Sequence, residues 1–466
     1  MIKKIINYLL IAIGIILFII LQYLINKLGI IPQKYYLLFT IVEVLLFAIA
    51  IVFSFFKKIV FYIISIILSI LLIVTNSFGY YYIKNFDKFI DKGFTGEIVN
   101  LTSYLVVTSS NNEITDIKEV TLDKKINYYT HSINNEIAKE KLGNYVYEPV
   151  DNLENYLQTN KESKEYLLID KTNYSIFTEL KTDSDKDYKI LYDFDIETVE
   201  ERNFEVKDSY NIFVIGKDFW GRDDLNLLIT VNTNTHEVLF TSMPRDLYID
   251  AVGYNFKDSL TGMYCLGDDV VIKSIENFYG ITIDYKVKVF TENLVDIVDK
   301  LGGLEFCSNK SFTTTHAKVI GTYDDSTGNK MYVKKGCYTY NGIEILTIAR
   351  ERKAFNPKGD HQRQENCRKI LINILKKLGS MSTLSNYTEI LDSLNGLYST
   401  NMNRNAVAIL IRSAIDNKGY SIYEQHVGGE LYNRPLGIER WNGPAIYPDQ
   451  GEADSARAKI QEILNK

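Results

Sequence analysis

The chain has 466 residues, 46% of them hydrophobic, enough for two or three domains that each hold a core. Its 52 basic and 58 acidic residues leave a net charge of −6, so no basic excess exists to track a nucleic-acid backbone. Any anion site must therefore be a local cluster of arginines.

The first 78 residues are the most apolar. Ile5–Ile25, Tyr35–Phe56 and Ile59–Phe78 are each about the 20 residues that a helix needs to cross a bilayer. A cleaved signal peptide is disfavoured, because no clear small-residue cleavage site follows the first run and two further runs come after it. Lys3 and Lys4 precede the first run, and Lys57 and Lys58 sit between the second and third. Both pairs should face the cytoplasm, which places residues 79–466 outside. Lys27 and Lys34, in the first loop, weaken that orientation without reversing it. Glu43 falls near the middle of the second run, and the reading preferred for it is an acid that faces the other two helices and is kept protonated or hydrogen-bonded.

Residues 79–94 form an aromatic and basic juxtamembrane segment. Residues 95–191 are polar with short apolar runs such as Ser103–Val107 and Tyr166–Ile169, and read as a small α/β accessory domain. Residues 192–207 are charged and read as a linker. From Asp208 to the C-terminus the pattern is that of a larger domain. Tyr210–Ile215, Leu225–Val231 and Glu237–Ser242 are predicted strands, and their continuous apolar runs suit strands buried on both faces. Asn293–Leu301 is a predicted helix ended by Gly302-Gly303. Cys367–Leu378 has apolar residues at 367, 370, 371, 374, 375 and 378, an amphipathic helical spacing, and Ala453–Leu464 is a closing helix. The predicted architecture is an α/β layered domain with a central mixed sheet flanked by helices, preceded by the accessory domain and three transmembrane helices.

Acids and arginines gather at the ends of these elements. Asp218 follows the first strand, Arg222-Asp223-Asp224 precedes the second, and Pro244-Arg245-Asp246 follows the third. Arg350 and Arg352 are two apart, so an extended segment would point them the same way. Asp360, Arg363 and Cys367 fall on one stripe of a helix, continuous with its apolar face, so these polar groups should point at the core. A diphosphate suits this inventory. Guanidinium forks hold phosphate oxygens, and carboxylates can hold a Mg²⁺ that does the same. The alternative is a set of surface ion pairs, each worth about 0–1 kcal/mol. The four cysteines, at 265, 307, 337 and 367, lie in the outward part, where disulfides are permitted. They include no Cys-x-x-Cys, and the five histidines have no paired ligand spacing, so zinc is disfavoured.

In order and context these motifs resemble the catalytic domain of the LytR-CpsA-Psr family. The resemblance runs from Gly216-Lys217-Asp218 and Arg222-Asp223-Asp224 to Ser242-Met243-Pro244-Arg245-Asp246. It continues through Ile283-Asp284-Tyr285, Leu301-Gly302-Gly303, Tyr340-Asn341-Gly342, Ala349-Arg350-Glu351-Arg352, Gly359-Asp360, Arg363 and Tyr447-Pro448-Asp449. Three spans and an accessory domain also occur in the family's capsule-type members. The resemblance implies a transferase that moves a glycopolymer, of teichoic acid or capsule type, from a polyprenyl pyrophosphate to peptidoglycan through a phosphodiester, at a muramic acid hydroxyl. Carried over, Asp218 and Asp224 would bind Mg²⁺, and Asp218 or a neighbouring carboxylate would be the base. Arg222, Arg245, Arg350, Arg352 and Arg363 would hold the pyrophosphate, Asp360 would orient them, and Asp246 belongs to the same catalytic set. The Ile370/Leu371/Ile374 face would line a lipid channel. Three positions depart from the family's pattern. The Asp218–Asp224 gap is short, Lys257-Asp258-Ser259 lacks the usual Asn, and Cys367 stands where a Gln is usual. Cys367 could pair with Cys265, which would leave Cys307 with Cys337. A hydrolase acting on the lipid diphosphate, or a non-enzymatic surface sensor or wall-binding protein, remain the alternatives.

Overall fold

The computed structural model describes residues 2–180, 187–201, 207–217, 223–290, 293–317, 330–355, 359–378, 390–391, 394, 398–416 and 419–466. Helices α1 (Ile2–Leu28), α2 (Gln33–Phe55) and α3 (Ile59–Gly93) are each long and apolar enough to cross a membrane. Their outward faces stay apolar and exposed, as at Ile19, Leu38 and Ile67, while polar groups turn inward. Asn76 donates to buried Glu43 at 3.0 Å, and Asn7 donates to Ser65 at 2.9 Å. Glu43 thus faces its neighbours as expected, since an acid on the lipid side would lose its hydration without compensation.

The third helix does not stop at Phe78. It continues to Gly93, through the stretch read as a separate juxtamembrane segment. Ile83, Phe86, Phe89 and Ile90 form a stripe at helical spacing that packs into a core of the large domain, and this packing carries the helix beyond its membrane part.

The accessory domain comprises β1 (Glu97–Ser109), β2 (Lys125–Tyr129), α4 (Asn135–Leu142), β3 (Val146–Val150), α5 (Leu153–Thr159), β4 (Tyr166–Asp170), α6 (Lys171–Leu180) and β5 (Tyr188–Glu201). Its sheet has the order β3-β2-β4-β1-β5. The expected linker is wrong over its first part, because residues 192–201 belong to β5, which pairs with β1 along its whole length. Leu191, Phe194 and Ile196 are buried between charged outward neighbours, a strand pattern that the high charge of the segment conceals.

The large domain starts with β6 (Ser209–Lys217), β7 (Asp223–Asn232) and β8 (Glu237–Met243). There follow β9 (Tyr248–Asp250), β10 (Lys257–Ser259), α7 (Leu260–Tyr264), α8 (Asp268–Tyr279), β11 (Tyr285–Phe290) and α9 (Asn293–Lys300). Next come β12 (Leu304–Ser308), β13 (Phe312–Ala317), β14 (Lys330–Val333), β15 (Gly336–Tyr340), α10 (Gly342–Arg350) and α11 (Gly359–Leu378). The chain closes with β16 (Tyr398–Thr400), α12 (Arg404–Asp416), β17 (Ser421–His426), β18 (Gly429–Leu436), β19 (Trp441–Pro448) and α13 (Gln450–Leu464). The central sheet is mixed, in the order β16-β11-β6-β7-β8-β17.

Alternate residues of β6 feed two cores. Phe213 and Ile215 pack with α7, α8 and α13 on one face, while Tyr210, Ile212 and Val214 pack with α11, α12 and the anchor helices on the other. That two-sided burial is why the strands read as unbroken apolar runs. A third core joins α9, α10, α11 and β12. Gly302 and Gly303 end α9 with φ of 72° and 86°, a left-handed exit that glycine accepts without a Cβ clash. Cys307 and Cys337 form a disulfide between β12 and β15. The pairing of Cys265 with Cys367 is not formed and both keep their thiols. Cys265 sits in a core with Tyr129 and Trp441, whereas Cys367 packs against the α9–α11 core.

Candidate active site

Strands β6 and β8 both run antiparallel to β7, and β11 and β17 run parallel to β6 and β8. Four carboxyl ends therefore share one edge of the sheet, where β7 begins, and open α/β sheets place ligands beyond such an edge. The register fixes the edge residues, pairing Lys217 with Asp223, Asn226 with Met243, and Ser242 with His426. Arg245 and Asp246 come directly after β8, both buried. The Arg245 carbonyl accepts from the Thr261 N–H at 2.9 Å and its hydroxyl at 3.1 Å, and the Asp246 carbonyl accepts from the Ile446 N–H at 2.6 Å. The Asp246 carboxylate lies 3.8 Å from Arg245 Nε.

The second arginine group depends on how α10 begins and ends. Asn341 caps it, accepting from the Glu344 N–H at 3.0 Å, while Glu344 accepts from the Asn341 N–H at 3.1 Å. A Cβ at Gly342 would stand 2.2 Å from the Val295 carbonyl oxygen, so only glycine lets α10 approach α9 this closely. Arg350 is the last residue of α10 and is buried, whereas Arg352 lies beyond the helix and is half-buried. The expected extended segment, with both side chains on one side, is not what forms. Instead the fully buried Glu351 carboxylate accepts from the Thr315 N–H at 2.6 Å, the Thr315 hydroxyl at 2.9 Å and the Ala354 N–H at 2.9 Å, fixing the turn between the two arginines.

Helix α11 brings a third group. Arg363 is fully buried, as its place on the helical stripe predicted. Five residues further along, Arg368 donates to Glu424 at 2.8 Å and to the Ser242 hydroxyl at 2.9 Å, and the His361 and His426 rings are 3.7 Å apart. These contacts hold the start of α11 over the β8/β17 edge, and the Cys367 thiol joins α11 to the Ala349 carbonyl of α10 at 3.4 Å. Arg368 and the two histidines were not singled out from sequence; a lone Arg ahead of an apolar run reads as an ordinary solvated charge.

Beside this edge, between the sheet and α9–α12, lies a cavity of about 570 Å³. Its wall includes the expected Ile370, Leu371 and Ile374, and Arg350 is the charged residue among its described lining. At the other side of β6, Lys217 lies 3.5 Å from Asp268, Lys286 lies 3.8 Å from Asp269, and Lys288 pairs with Asp268 while donating to Asn100 of β1 at 2.6 Å. Burial alone would raise the Asp268 carboxyl, but the facing Lys217, Lys288 and Lys286 outweigh it and hold it below the usual carboxylate range.

Asp258, in the motif that departs from the family's pattern, has a structural task. It is fully buried and accepts from the Gly437 N–H at 2.8 Å and the Ser259 N–H at 2.8 Å, pinning the β18–β19 hairpin. Burial pushes its carboxyl up to about 7, against the pull of the Gly437 N–H and Arg440. Between about pH 4 and 7 the folded protein then keeps a proton that the unfolded chain releases, so this group's stabilisation is lost as pH rises through that window. Asp258→Asn should flatten the fall in melting temperature between pH 4.5 and 7, and an unchanged slope would refute the assignment.

The structure thus places Arg245 and Asp246 directly after β8, Arg350 at the end of α10 with Arg352 just beyond it, and Arg363 in α11, a helix that packs against β7, β8 and α10. Asp218 and Arg222 lie outside the described residues. Asp224 and Asp360 are described through their backbone, at the start of β7 and in the first turn of α11.

Residues 169–461 match the model of the LytR_cpsA_psr family. A protein named polyisoprenyl-teichoic acid–peptidoglycan teichoic acid transferase TagU, from Bacillus mycoides (strain KBAB4), is 28% identical over 235 residues, 49% of this chain and 72% of that protein. The TagU of Bacillus subtilis (strain 168) is 30% identical over 208 residues, 44% of this chain and 63% of its own length. Among solved structures, that of B. subtilis TagV is 23% identical, covering 56% of this chain and 99% of that one, with a TM-score of 0.44.

Proposed function

The chain belongs to the LytR_cpsA_psr family, and from that premise we propose that it is a membrane-anchored phosphotransferase that moves a polyprenyl-pyrophosphate-linked glycopolymer onto peptidoglycan. The observation that carries this reading is the junction of two unlike environments. Arg245 is buried directly after β8, Arg363 is buried in α11, which packs on that strand, and between the sheet and the helices lies an apolar cavity with buried Arg350 in its wall. A pyrophosphate with a hydrocarbon tail is the chemistry that such a junction recognises, by guanidinium forks at one part and area burial at the other.

In the reaction, a peptidoglycan hydroxyl oxygen attacks the phosphorus on the polymer side of the pyrophosphate. The bond from that phosphorus to the bridging oxygen breaks, and the lipid leaves as its monophosphate. The hydroxyl proton passes to a carboxylate, Asp218 or a neighbour. Arg245, Arg350, Arg352 and Arg363 hold the phosphate oxygens and offset the negative charge that grows on the leaving group. Asp246 steadies Arg245 through their 3.8 Å ion pair, and Asp360 is assigned to orient one or more of the arginines. Asp218 and Asp224 offer the hard oxygen donors that Mg²⁺ takes, and Mg²⁺ there would add positive charge at the same phosphates.

The orientation belongs to the same proposal, with the N-terminus cytoplasmic and residues 79–466 outside. Lys27, at the end of α1, and Lys34, at the start of α2, are the cations that oppose the positive-inside pattern. Lys27 pairs with Asp87 at 2.8 Å, and Lys34 with Asp416 of α12 at 2.5 Å, so carboxylates on the same side neutralise both. The test uses the full chain in nanodiscs with a polyprenyl-pyrophosphate glycan, peptidoglycan oligomers and Mg²⁺. Phosphodiester-linked product is expected, and its loss in Arg245→Ala would tie it to this site. Release of lipid monophosphate with no linked product would replace the transferase with a hydrolase.

A further inference from the structure

The cavity is not built by the large domain alone. Phe86, Phe89 and Ile90 of the α3 extension, and Phe94 just after it, are part of its lining, with Phe94 packed on Tyr398 at a ring separation of 5.5 Å. Positions 86, 89 and 90 fall on one helical stripe, and that stripe continues toward the membrane through Ile83. The neighbouring stripe of the same helix carries Asp87 and Asp91. Asp87 is buried and pairs with Lys27 at the end of α1 and with Arg404 at the start of α12, while Asp91 also pairs with Arg404. One face of the extension thus walls the cavity and the next is clamped by ion pairs to both the anchor and the large domain.

We infer that the anchor is part of the lipid site: the α3 extension forms a wall, continuous with the membrane helix, along which the donor's hydrocarbon chain passes from the bilayer into the cavity. This rests on the transfer reading above and deepens it, since it assigns Phe86 and Phe89 as residues that set preference for donor chain length. A volume of about 570 Å³ lies within the range of ligand sites, roughly 300–1,000 Å³, but the wall is incomplete without α3. A short prenyl chain would be satisfied by the sheet and α11, whereas a long chain must run along the phenylalanine stripe.

The test compares the full chain with its Phe86→Ser/Phe89→Ser variant in nanodiscs, using pyrophosphate-linked disaccharide donors carrying either a long or a short prenyl chain. The wild type should favour the long donor. The variant should raise KM for the long donor about tenfold, near the loss of 1.4 kcal/mol of apolar contact, and should raise KM for the short donor by less. Arg404→Ala, which loosens the clamp without touching the cavity wall, should shift KM for the long donor in the same direction. A variant that melts normally and discriminates between donors as the wild type does would overturn the inference while leaving the transfer reading intact. A wild type that neither binds nor turns over either donor would overturn both.

Discussion

Arg350→Ala should lower kcat/KM for polymer transfer by about 10²–10³-fold, the scale of removing one preorganised charge from a growing anion. Arg350 is buried at the end of α10, in the wall of an otherwise apolar cavity, where water cannot screen it. A pyrophosphate whose tail occupies that cavity meets this guanidinium first. Arg350→Lys should recover only part of the loss, because an ammonium keeps the charge but not the two-pronged geometry. The position also carries a modest structural benefit, since a cation at a helix C-terminus is worth about 0.3–1 kcal/mol. A melting curve run beside the assay separates the two effects. A folded Arg350→Ala protein within twofold of wild-type turnover would remove this residue from the site and with it the link between cavity and chemistry.

The parts of this architecture visible in the sequence share one physical cause, a pattern that only burial explains. The apolar runs of β6, β7 and β8 reflect two cores meeting on one sheet. Arg363 was legible because its stripe on α11 runs straight into apolar positions. The missing parts depend on contacts between distant segments. Nothing local marks Arg368 as buried, for its partners Ser242 and Glu424 come from two other strands. Nor does the composition of residues 192–201 reveal a strand, because Asp193, Asp195 and Glu197 are exposed while the strand pairs with β1. The reach of α3 past the membrane was hidden for the same reason, as Phe86 and Phe89 look like interfacial aromatics until the cavity they line is seen. The spacing of Arg350 and Arg352 suggests one shared direction, yet the helix end between them buries the first and leaves the second partly in solvent.

Breaking the Cys307–Cys337 bridge should cost about 3 kcal/mol of stability, because it closes a loop of 30 residues and so restricts the unfolded chain. The two residues face each other in the β12–β15 register, with Cα atoms 4.0 Å apart. Cys337 is exposed, and a reductant can reach it. For a chain of this size the loss corresponds to a fall of roughly 2–4 °C in melting temperature for each kcal/mol. The consequence should not stay local. The bridged loop contains β13, and Thr315 of β13 donates two of the bonds that hold Glu351 between Arg350 and Arg352. Loosening the loop should therefore weaken turnover as well as stability, and the Cys307→Ser/Cys337→Ser variant should reproduce both effects without reductant. A melting temperature unchanged after verified reduction would show that the β12–β15 pairing and the α9–α11 core hold the loop unaided. Turnover unchanged despite a lowered melting temperature would show that the Glu351 turn is set by α10 and the 353–355 turn rather than by β13.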